Sequence, residues 1–217
     1  MPQFDSVDIY PVTGRSLFGE RDDGEVIASL AAGGAKIVQL REKSLADGAL
    51  YDLALLYRRE TARHGMLLII NDRVDIAQLC GADGVHLGRG DLPVAAARAL
   101  LGAGAIIGAS SHTLEQALEA QRLGASYVNI GPLFPTPTKP GASAIGLEPV
   151  RQAARALSIP FTVMGGVTTE NIDAVIAAGA RKVGVVSAIF GARDIAAATR
   201  ALITRMRGAD LPVPGAA

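Results

Sequence analysis

The sequence predicts an α/β fold, a single (βα)8 barrel of the TIM type. One observation is a pattern that occurs four times: the end of a helix-like stretch, a Gly-Ala turn and a short apolar run. Its copies are AAGGAKIVQL at 31–40, CGADGVHL at 80–87, LGASYVNI at 123–130 and AGARKVGVV at 178–186. The other observation is that polar side chains follow the apolar runs, and a barrel of this kind builds its active site just after its strands.

Each part of the pattern has a physical reason. Glycine just past a helix adopts the left-handed conformation that other residues resist. An apolar run of about four to six residues between turn residues is typical of a strand buried on both faces. The repeating unit is therefore a helix, a short loop and a parallel strand.

Eight such units are predicted in order along the chain. Strands are expected at 8–13, 35–40, 66–70, 84–87, 106–109, 127–130, 161–164 and 182–186. Helices are expected at 25–32, 46–64, 74–79, 93–101, 114–123, 147–157, 171–178 and 195–207. A doubly wound open sheet is the competing architecture, but eight regular units with short links favour the closed barrel. Residues 1–207 are expected to form one domain, and 208–217 a flexible tail.

Composition narrows the classes of function. The chain has 217 residues, 49% of them hydrophobic, with 21 basic and 21 acidic side chains. This balance argues against a broad nucleic-acid or membrane surface, and no secretory signal or membrane-length apolar run is seen. We therefore expect a cytoplasmic protein that acts on small molecules, with a monomer and a homo-oligomer both open. The only cysteine, Cys80, cannot form an internal disulfide and is expected to be a small buried hydrophobe.

Cationic side chains follow the second strand. Gln39, Arg41 and Lys43 alternate along it and therefore point the same way. Two cations at a barrel mouth suit a multiply charged phosphate ligand. The alternative is a solvated loop with salt bridges to Glu42.

Carboxylates follow the third and fourth strands. Asp72, with Asn71 beside it, and Asp91 are expected to meet at the rim, because adjacent strands bring their ends together. Mg²⁺ takes one or two carboxylates and fills its other positions with water and substrate phosphate. The alternative is that the two aspartates cap the helices that follow them.

The fifth strand leads into a polar segment. Ser110 is placed to hydrogen-bond a polar ring, and Thr113 or Ser111 to cap the next helix. His86, inside strand four, is expected to be an interior polar residue without a catalytic role. His112 is either an acid–base group or, as we favour, a structural residue.

A long loop at 131–146 follows the sixth strand. Thr136, Thr138 and Lys139 offer two hydroxyls and an ammonium on a proline-rich backbone, which suits an anion clamp that closes over substrate. After strands seven and eight, Gly166 and Ser187 lie where many such barrels hold a phosphate. The alternative for the Gly pair at 165–166 is a turn needed only for folding.

Together these motifs resemble those of the thiamine phosphate synthase family. The matching segments are QLREK at 39–43, INDR at 70–73, GVHLG at 84–88 with Asp91, GPLFPTPTK at 131–139 and GGV at 165–167. The resemblance extends from about residue 9 to residue 206. It implies a transferase of thiamine biosynthesis that joins 4-amino-5-hydroxymethyl-2-methylpyrimidine diphosphate to a thiazole phosphate and releases pyrophosphate.

The resemblance also implies a role for each site residue. Asp72 and Asp91 would bind Mg²⁺, and Gln39 and Ser110 would surround the pyrimidine. The residues implied on the diphosphate are Arg41, Lys43, Asn71 and Lys139. Those implied on the thiazole phosphate are Thr136, Thr138, Gly166, Val186 and Ser187. We count Arg41, Lys43, Ser110 and Lys139 as catalytic, since the implied mechanism is a dissociative loss of diphosphate that needs no enzymic nucleophile.

Two other functions remain open at this point. One is the related thiazole tautomerase, which would need an acid–base residue, for which His112 is the candidate, and no pair of metal carboxylates. The other is a phosphate-binding barrel without catalysis, since fold alone does not fix function.

Overall fold

The computed structural model describes residues 2–136, 141 and 143–208. Within them the strands are β1 (Ile9–Pro11), β2 (Ile37–Leu40), β3 (Leu67–Asn71), β4 (Gly84–Leu87), β5 (Ile106–Ser111), β6 (Tyr127–Ile130), β7 (Phe161–Val163) and β8 (Val183–Val185). The helices are α1 (Pro2–Asp5), α2 (Asp23–Ala32), α3 (Asp47–Arg63), α4 (Val74–Cys80), α5 (Val94–Leu101), α6 (Leu114–Arg122), α7 (Glu148–Ala156), α8 (Ile172–Ala177), α9 (Ser187–Phe190) and α10 (Ile195–Gly208).

The strands form one parallel sheet in the order β1-β8-β7-β6-β5-β4-β3-β2. Its two ends meet where Val12, just past β1, pairs in parallel with Gln39 of β2, and the Thr13 N–H donates to the Gln39 carbonyl at 2.9 Å. The sheet is thus closed into a barrel, and the predicted (βα)8 fold is confirmed. The short helices α1 and α9 and a 3-10 turn at Arg15–Leu17 were not predicted.

Two apolar clusters stabilise the barrel. The larger lies between the outer faces of the strands and the helices, and it contains Cys80, which is buried as expected. The smaller fills the lower half of the barrel interior and consists of Phe4, Val7, Tyr10, Ile37, Leu67, Ile69, Ile106 and Tyr127. No helix in the described part of the chain is long and apolar enough to cross a membrane.

The N-terminal segment closes the bottom of the barrel. Phe4 of α1 stacks on Tyr127, with ring centroids 4.6 Å apart. The Lys182 ammonium donates to the carbonyl oxygens of Asp5 and Val7 at 2.7 and 3.0 Å and lies over the Phe4 ring. Burial lowers the pKa of Lys182, and two of the three donors of its ammonium bind these carbonyls. Any ligand must therefore enter from the opposite end, where the carboxyl ends of the strands lie.

Interior glycines make room for large side chains on neighbouring strands. A Cβ at Gly108 would lie 2.2 Å from the Tyr127 ring, and one at Gly84 would lie 1.9 Å from the Ile106 carbonyl oxygen. Such alternation of small and large residues fills a tapered barrel interior without voids. These glycines are required by packing rather than by their backbone conformation.

We predict that Gly84→Ala lowers the free energy of unfolding by at least about 1–3 kcal/mol, the usual cost of overpacking a core. Its methyl group would meet backbone of β5, which cannot rotate away. Thermal unfolding measures the effect, at about 2–4 °C per kcal/mol for a chain of this size. The control is Gly104→Ala, where a Cβ meets nothing within 4 Å. Equal melting temperatures for the two variants would contradict this account of the interior.

Candidate active site

A cavity of about 290 Å³ opens at the carboxyl ends of the strands. Every predicted site residue within the described part of the chain lines it. These residues are Gln39, Arg41, Lys43, Asn71, Asp72, Asp91, Ser110, Thr136, Gly166, Val186 and Ser187. Thr138 and Lys139 lie outside the described residues. The strand ends thus bring together side chains that are up to 148 positions apart in the sequence, from Gln39 to Ser187.

Thr13 fixes the backbone of the cationic segment after β2. Its buried hydroxyl accepts from the Arg41 N–H at 2.8 Å and donates to the Arg41 carbonyl at 3.3 Å. Lys43 forms an ion pair with Asp72 across the rim, Nζ to Oδ2 2.9 Å, rather than with the neighbouring Glu42. The segment is therefore held at the cavity and not as a separate solvated loop.

Asp72 and Asp91 meet at the rim. Each carboxyl group is close enough to the other to shift its pKa, and Lys43 forms its ion pair with Asp72. Burial and the Asp72 carboxylate raise the pKa of Asp91. Burial also acts to raise the pKa of Asp72, but the interactions with the Lys43 ammonium and with Asp91 outweigh it and lower that pKa. The pair is a concentration of negative charge that the surrounding residues neutralise only in part.

Neither aspartate caps a helix, so the alternative considered above is wrong. α4 begins after Arg73 and α5 after Pro93, and no side chain at either N-cap accepts a hydrogen bond from the first N–H groups of the helix. Asp91 instead accepts the Gly88 N–H at 2.7 Å, which closes a tight turn. Asp72 has a left-handed backbone with φ 64°, an uncommon conformation for a residue other than glycine. Both carboxyl groups are thereby directed to the cavity rather than to a helix end.

A buried chain of hydrogen bonds forms the floor of the cavity. Gln39 donates to the Tyr10 hydroxyl, which bonds to the Tyr127 hydroxyl at 2.9 Å. Tyr127 bonds to His86 Nδ1, and His86 Nε2 to the Ser110 hydroxyl, both at 2.9 Å. Burial lowers the pKa of His86 to about 4, so its imidazole is neutral at neutral pH. His86 is interior, as predicted.

His112 lies at the cavity wall and is held by the backbone. Its Nδ1 donates to the carbonyl oxygen of Gly131, and its N–H donates to Gln116. Thr113 caps α6 and accepts the Gln116 N–H at 3.3 Å. Of the two caps predicted for this helix, Thr113 and Ser111, the first is confirmed. The structural reading of His112 is therefore supported.

The loops after β6 and β7 pack on each other at the glycine pair. Leu133 and Phe134 donate to the carbonyl oxygens of Met164 and Gly165 at 2.9 and 3.0 Å. Gly165 and Gly166 have φ of 99° and 65°, and a Cβ on Gly166 would lie 2.6 Å from the Pro135 carbonyl oxygen. The glycines are needed for this close approach, and the same approach leaves Gly166 lining the cavity.

Sequence reasoning missed some residues of the site. Thr13 ends the first predicted strand, and the rule that polar residues after strands form the site would have found it. Tyr10 and Tyr127 stand within apolar runs, where only the fold shows that their hydroxyls meet. Arg89 also lines the cavity and adds a cation at the rim.

Comparison with known proteins identifies the family. The family model described as thiamine monophosphate synthase matches residues 9–189. The chain belongs to this family. It is 44% identical over 212 residues to a thiamine-phosphate synthase of Moorella thermoacetica, covering 96% of this chain and 100% of that one. It is 46% identical over 182 residues to one of Gloeobacter violaceus, covering 84% of this chain and 53%, about half, of that longer protein.

A solved structure supports the same family. Thiamine phosphate pyrophosphorylase from Pyrococcus furiosus is 34% identical, with a TM-score of 0.85 over 93% of this chain and 96% of that one. The expectation drawn from the sequence motifs is confirmed, because these relatives are thiamine-phosphate synthases, which are transferases.

We predict that Asp91→Asn raises the melting temperature at neutral pH in the absence of ligands. A raised pKa means that ionised Asp91 destabilises the folded chain, while asparagine keeps an acceptor for the Gly88 N–H. The gain should shrink as pH falls through the acidic range in which Asp91 becomes protonated. Melting curves at several pH values test this. The control is Asp173→Asn, which changes an aspartate of an exposed ion pair with Arg205. Asp91→Ala, which loses the Gly88 bond, should gain less; a lower melting temperature for Asp91→Asn at neutral pH would contradict the prediction.

Proposed function

We propose that this protein is a thiamine-phosphate synthase. It joins 4-amino-5-hydroxymethyl-2-methylpyrimidine diphosphate to 4-methyl-5-(2-phosphoethyl)thiazole to give thiamine phosphate and pyrophosphate. With the carboxylate form of the thiazole, the carboxylate also leaves, as CO₂. The observation that carries the proposal is the cavity of this family member. Two carboxylates and several cations lie at its rim, and uncharged polar side chains form its floor.

The diphosphate lies at the rim, on Arg41, Lys43, Asn71 and Lys139. The backbone of Arg41 is hydrogen-bonded to Thr13, so the base of its side chain is held at the cavity before substrate arrives. Lys43 is half-exposed and paired with Asp72, and it can turn from that carboxylate to a phosphate oxygen. Cations that the fold holds beside the leaving diphosphate stabilise the charge that develops on it.

Asp72 and Asp91 are the proposed Mg²⁺ ligands. The test of fit is the donor set: two adjacent carboxylates, only partly neutralised by Lys43, are what a hard divalent cation prefers. In the described residues, no three His, Cys, Asp or Glu side chains cluster as a possible metal site. The set therefore suits an ion completed by water and substrate phosphate. When bound, Mg²⁺ supplies positive charge to the departing diphosphate.

The two ring systems occupy the floor and the far wall. Gln39 and Ser110 hold the pyrimidine. They are the two terminal members of the buried series of hydrogen bonds in the cavity floor. The thiazole phosphate lies against Thr136, Thr138, Gly166, Val186 and Ser187. Supporting this, Ser187 begins α9, and the first N–H groups of a helix have no intrahelical partner.

The reaction is a dissociative displacement. The bond between the pyrimidine methylene and the diphosphate oxygen breaks, and both electrons leave with the pyrophosphate. The thiazole nitrogen then gives its lone pair to the methylene carbon and forms the new C–N bond. The protein supplies positioning and charge stabilisation. The chain's only cysteine is buried away from the cavity, and burial raises its thiol pKa.

The loop from 132 to 146 is the proposed lid. Its ends are tied together, since Ile145 and Gly146 donate to the carbonyl oxygens of Pro132 and Leu133 at 2.9 and 3.1 Å. Lys139 and the two threonines gain charge-assisted hydrogen bonds only around a charged ligand, and these offset the entropy of ordering. A closed loop excludes water that would trap the pyrimidine cation as the free alcohol. A cytoplasmic location, small-molecule partners without nucleic acid, and a homo-oligomer remain predictions.

The first test is coupling. Purified protein with both substrates and Mg²⁺ should form thiamine phosphate, and EDTA in excess should stop it. Asp91→Asn should lower kcat/KM by roughly 100-fold, in the range for losing one charge-stabilising group, and should raise the Mg²⁺ concentration for half-maximal rate. The control Asp173→Asn should behave as the wild type. Full turnover in excess EDTA would contradict the proposed requirement for Mg²⁺. If the protein forms no thiamine phosphate but isomerises a thiazole carboxylate phosphate, the tautomerase function is favoured.

The second test concerns the lid. Lys139→Ala should slow coupling and raise the share of pyrimidine diphosphate that is hydrolysed to the alcohol. The control is Lys36→Ala, an exposed lysine just before β2 at the opposite end of the barrel. Hydrogen exchange across 134–146 should fall when thiamine phosphate and pyrophosphate bind. Equal exchange with and without these products would indicate a preformed wall.

A further inference from the structure

The floor of the cavity is one continuous hydrogen-bonded chain between the two residues proposed to hold the pyrimidine. It runs from Gln39 through Tyr10, Tyr127 and His86 to Ser110 in four bonds of 2.9–3.1 Å. The three inner residues are almost completely buried. Each hydroxyl carries a single proton for these bonds, so the direction of one bond determines the next, and a His86 nitrogen that accepts must leave the ring proton on the other nitrogen.

The bond from Gln39 sets that direction. The Gln39 amide nitrogen donates to the Tyr10 hydroxyl. The single Tyr10 proton must then go to Tyr127, since no other acceptor in the described part of the chain bonds to this buried hydroxyl. Tyr127 in turn donates to His86 Nδ1, which is therefore unprotonated. Nε2 carries the imidazole proton and donates it to the Ser110 oxygen.

A ligand in the cavity is therefore offered a hydrogen-bond acceptor on one side and a hydrogen-bond donor on the other. Gln39 keeps its amide oxygen, and Ser110 keeps its hydroxyl proton, for a ligand. In a 4-aminopyrimidine the amine and ring nitrogen N1 are para to each other and point in opposite directions. The amine is a donor and N1 an acceptor, so such a ring is complementary to the two ends of the chain.

We propose that Tyr10, Tyr127 and His86 are positioning residues that fix this polarity, so that the site orients the ring with its amine on Gln39 and N1 on Ser110. This selects a 4-aminopyrimidine over its 4-oxo counterpart. The inference rests on the proposed function, since it concerns the pyrimidine of that reaction. A 4-oxo ring protonated at N1 has the opposite polarity, which only the fully reversed chain would match. Reversal requires Gln39 to flip and all four bonds to change together.

The same direction excludes one use of Ser110. A serine nucleophile needs an unprotonated imidazole nitrogen to take its proton. Here His86 Nε2 is the donor, so the Ser110 and His86 pair serves recognition and not attack.

The tautomer of His86 tests the polarity in the unaltered protein. The chain has three histidines, at 64, 86 and 112, and ¹⁵N-labelled histidine with His64→Gln and His112→Gln assigns their NMR signals. His86 should carry its proton on Nε2. His112, whose Nδ1 faces a carbonyl oxygen, should carry it on Nδ1 and serves as the internal reference. A proton on Nδ1 of His86 would overturn the proposal.

Selectivity tests the consequence. We compare kcat/KM for the pyrimidine diphosphate with that for its 4-oxo analogue, in which oxygen replaces the amine. The wild type should prefer the amine by at least roughly 100-fold, since a site built for a hydrogen-bonding group strongly rejects a mismatched one. Tyr127→Phe should reduce this preference about tenfold, mainly through a higher KM for the amino substrate, with the KM of the thiazole phosphate unchanged.

Tyr57→Phe is the matched control. It also removes a buried hydroxyl, one that bonds to Asp23 at 2.8 Å outside the barrel, so its loss of stability is comparable but its selectivity should be that of the wild type. If Tyr127→Phe does not fold, Tyr10→Phe cuts the chain one bond away. An unchanged preference in a folded chain variant, or an equal change in Tyr57→Phe, would overturn the proposal. Absence of coupling by the wild type would instead overturn the proposed function, while the tautomer would still report on the chain.

Discussion

In a closed barrel of parallel strands, the carboxyl ends of all the strands lie at the same rim. The site depends on this constraint. Arg41, Asp72 and Asp91 follow three consecutive strands, whereas Ser187 follows the last. Their sequence neighbours differ, and no local signal links them. They share a cavity because β1 and β2 meet at Val12 and Gln39, which completes the ring. Thr13, one residue further along, then ties Arg41 to that same closure.

The barrel interior is layered, and each layer solves a different physical problem. At the bottom an apolar cluster and the Lys182 contacts exclude water and stabilise the fold. Above it, buried hydroxyl, amide and imidazole groups can be tolerated only because each has a partner. At the rim, Asp72 and Asp91 are close although they repel, a local instability that a cationic ligand would relieve. Stability is thus concentrated away from the end where chemistry takes place.

The sequence predicts the order of strands and helices well because Gly-Ala turns and short apolar runs are local signals. It also predicts most cavity residues, through the single rule that polar side chains after strands converge. The helix-cap alternative for Asp91 was wrong because a cap is judged from neighbours along the chain, while the turn that binds its carboxylate to Gly88 depends on the fold. Tyr10 and Tyr127 are 117 residues apart, and their pairing follows from strand register and from the space left by Gly108, neither of which can be read locally.

The layering also separates the two tasks of recognition. The floor is neutral and buried, so its hydrogen bonds are strong, directional and insensitive to salt, which suits reading the pattern of donors and acceptors on a ring. The rim is charged and partly exposed, so water screens it, and under the proposed function a ligand and the closed loop would exclude that water. Charge stabilisation therefore becomes strong only after the ring is seated and the site is closed. Under the proposed function, the diphosphate would therefore be activated to leave only in the closed site, and this would limit hydrolysis of the pyrimidine cation without a separate device.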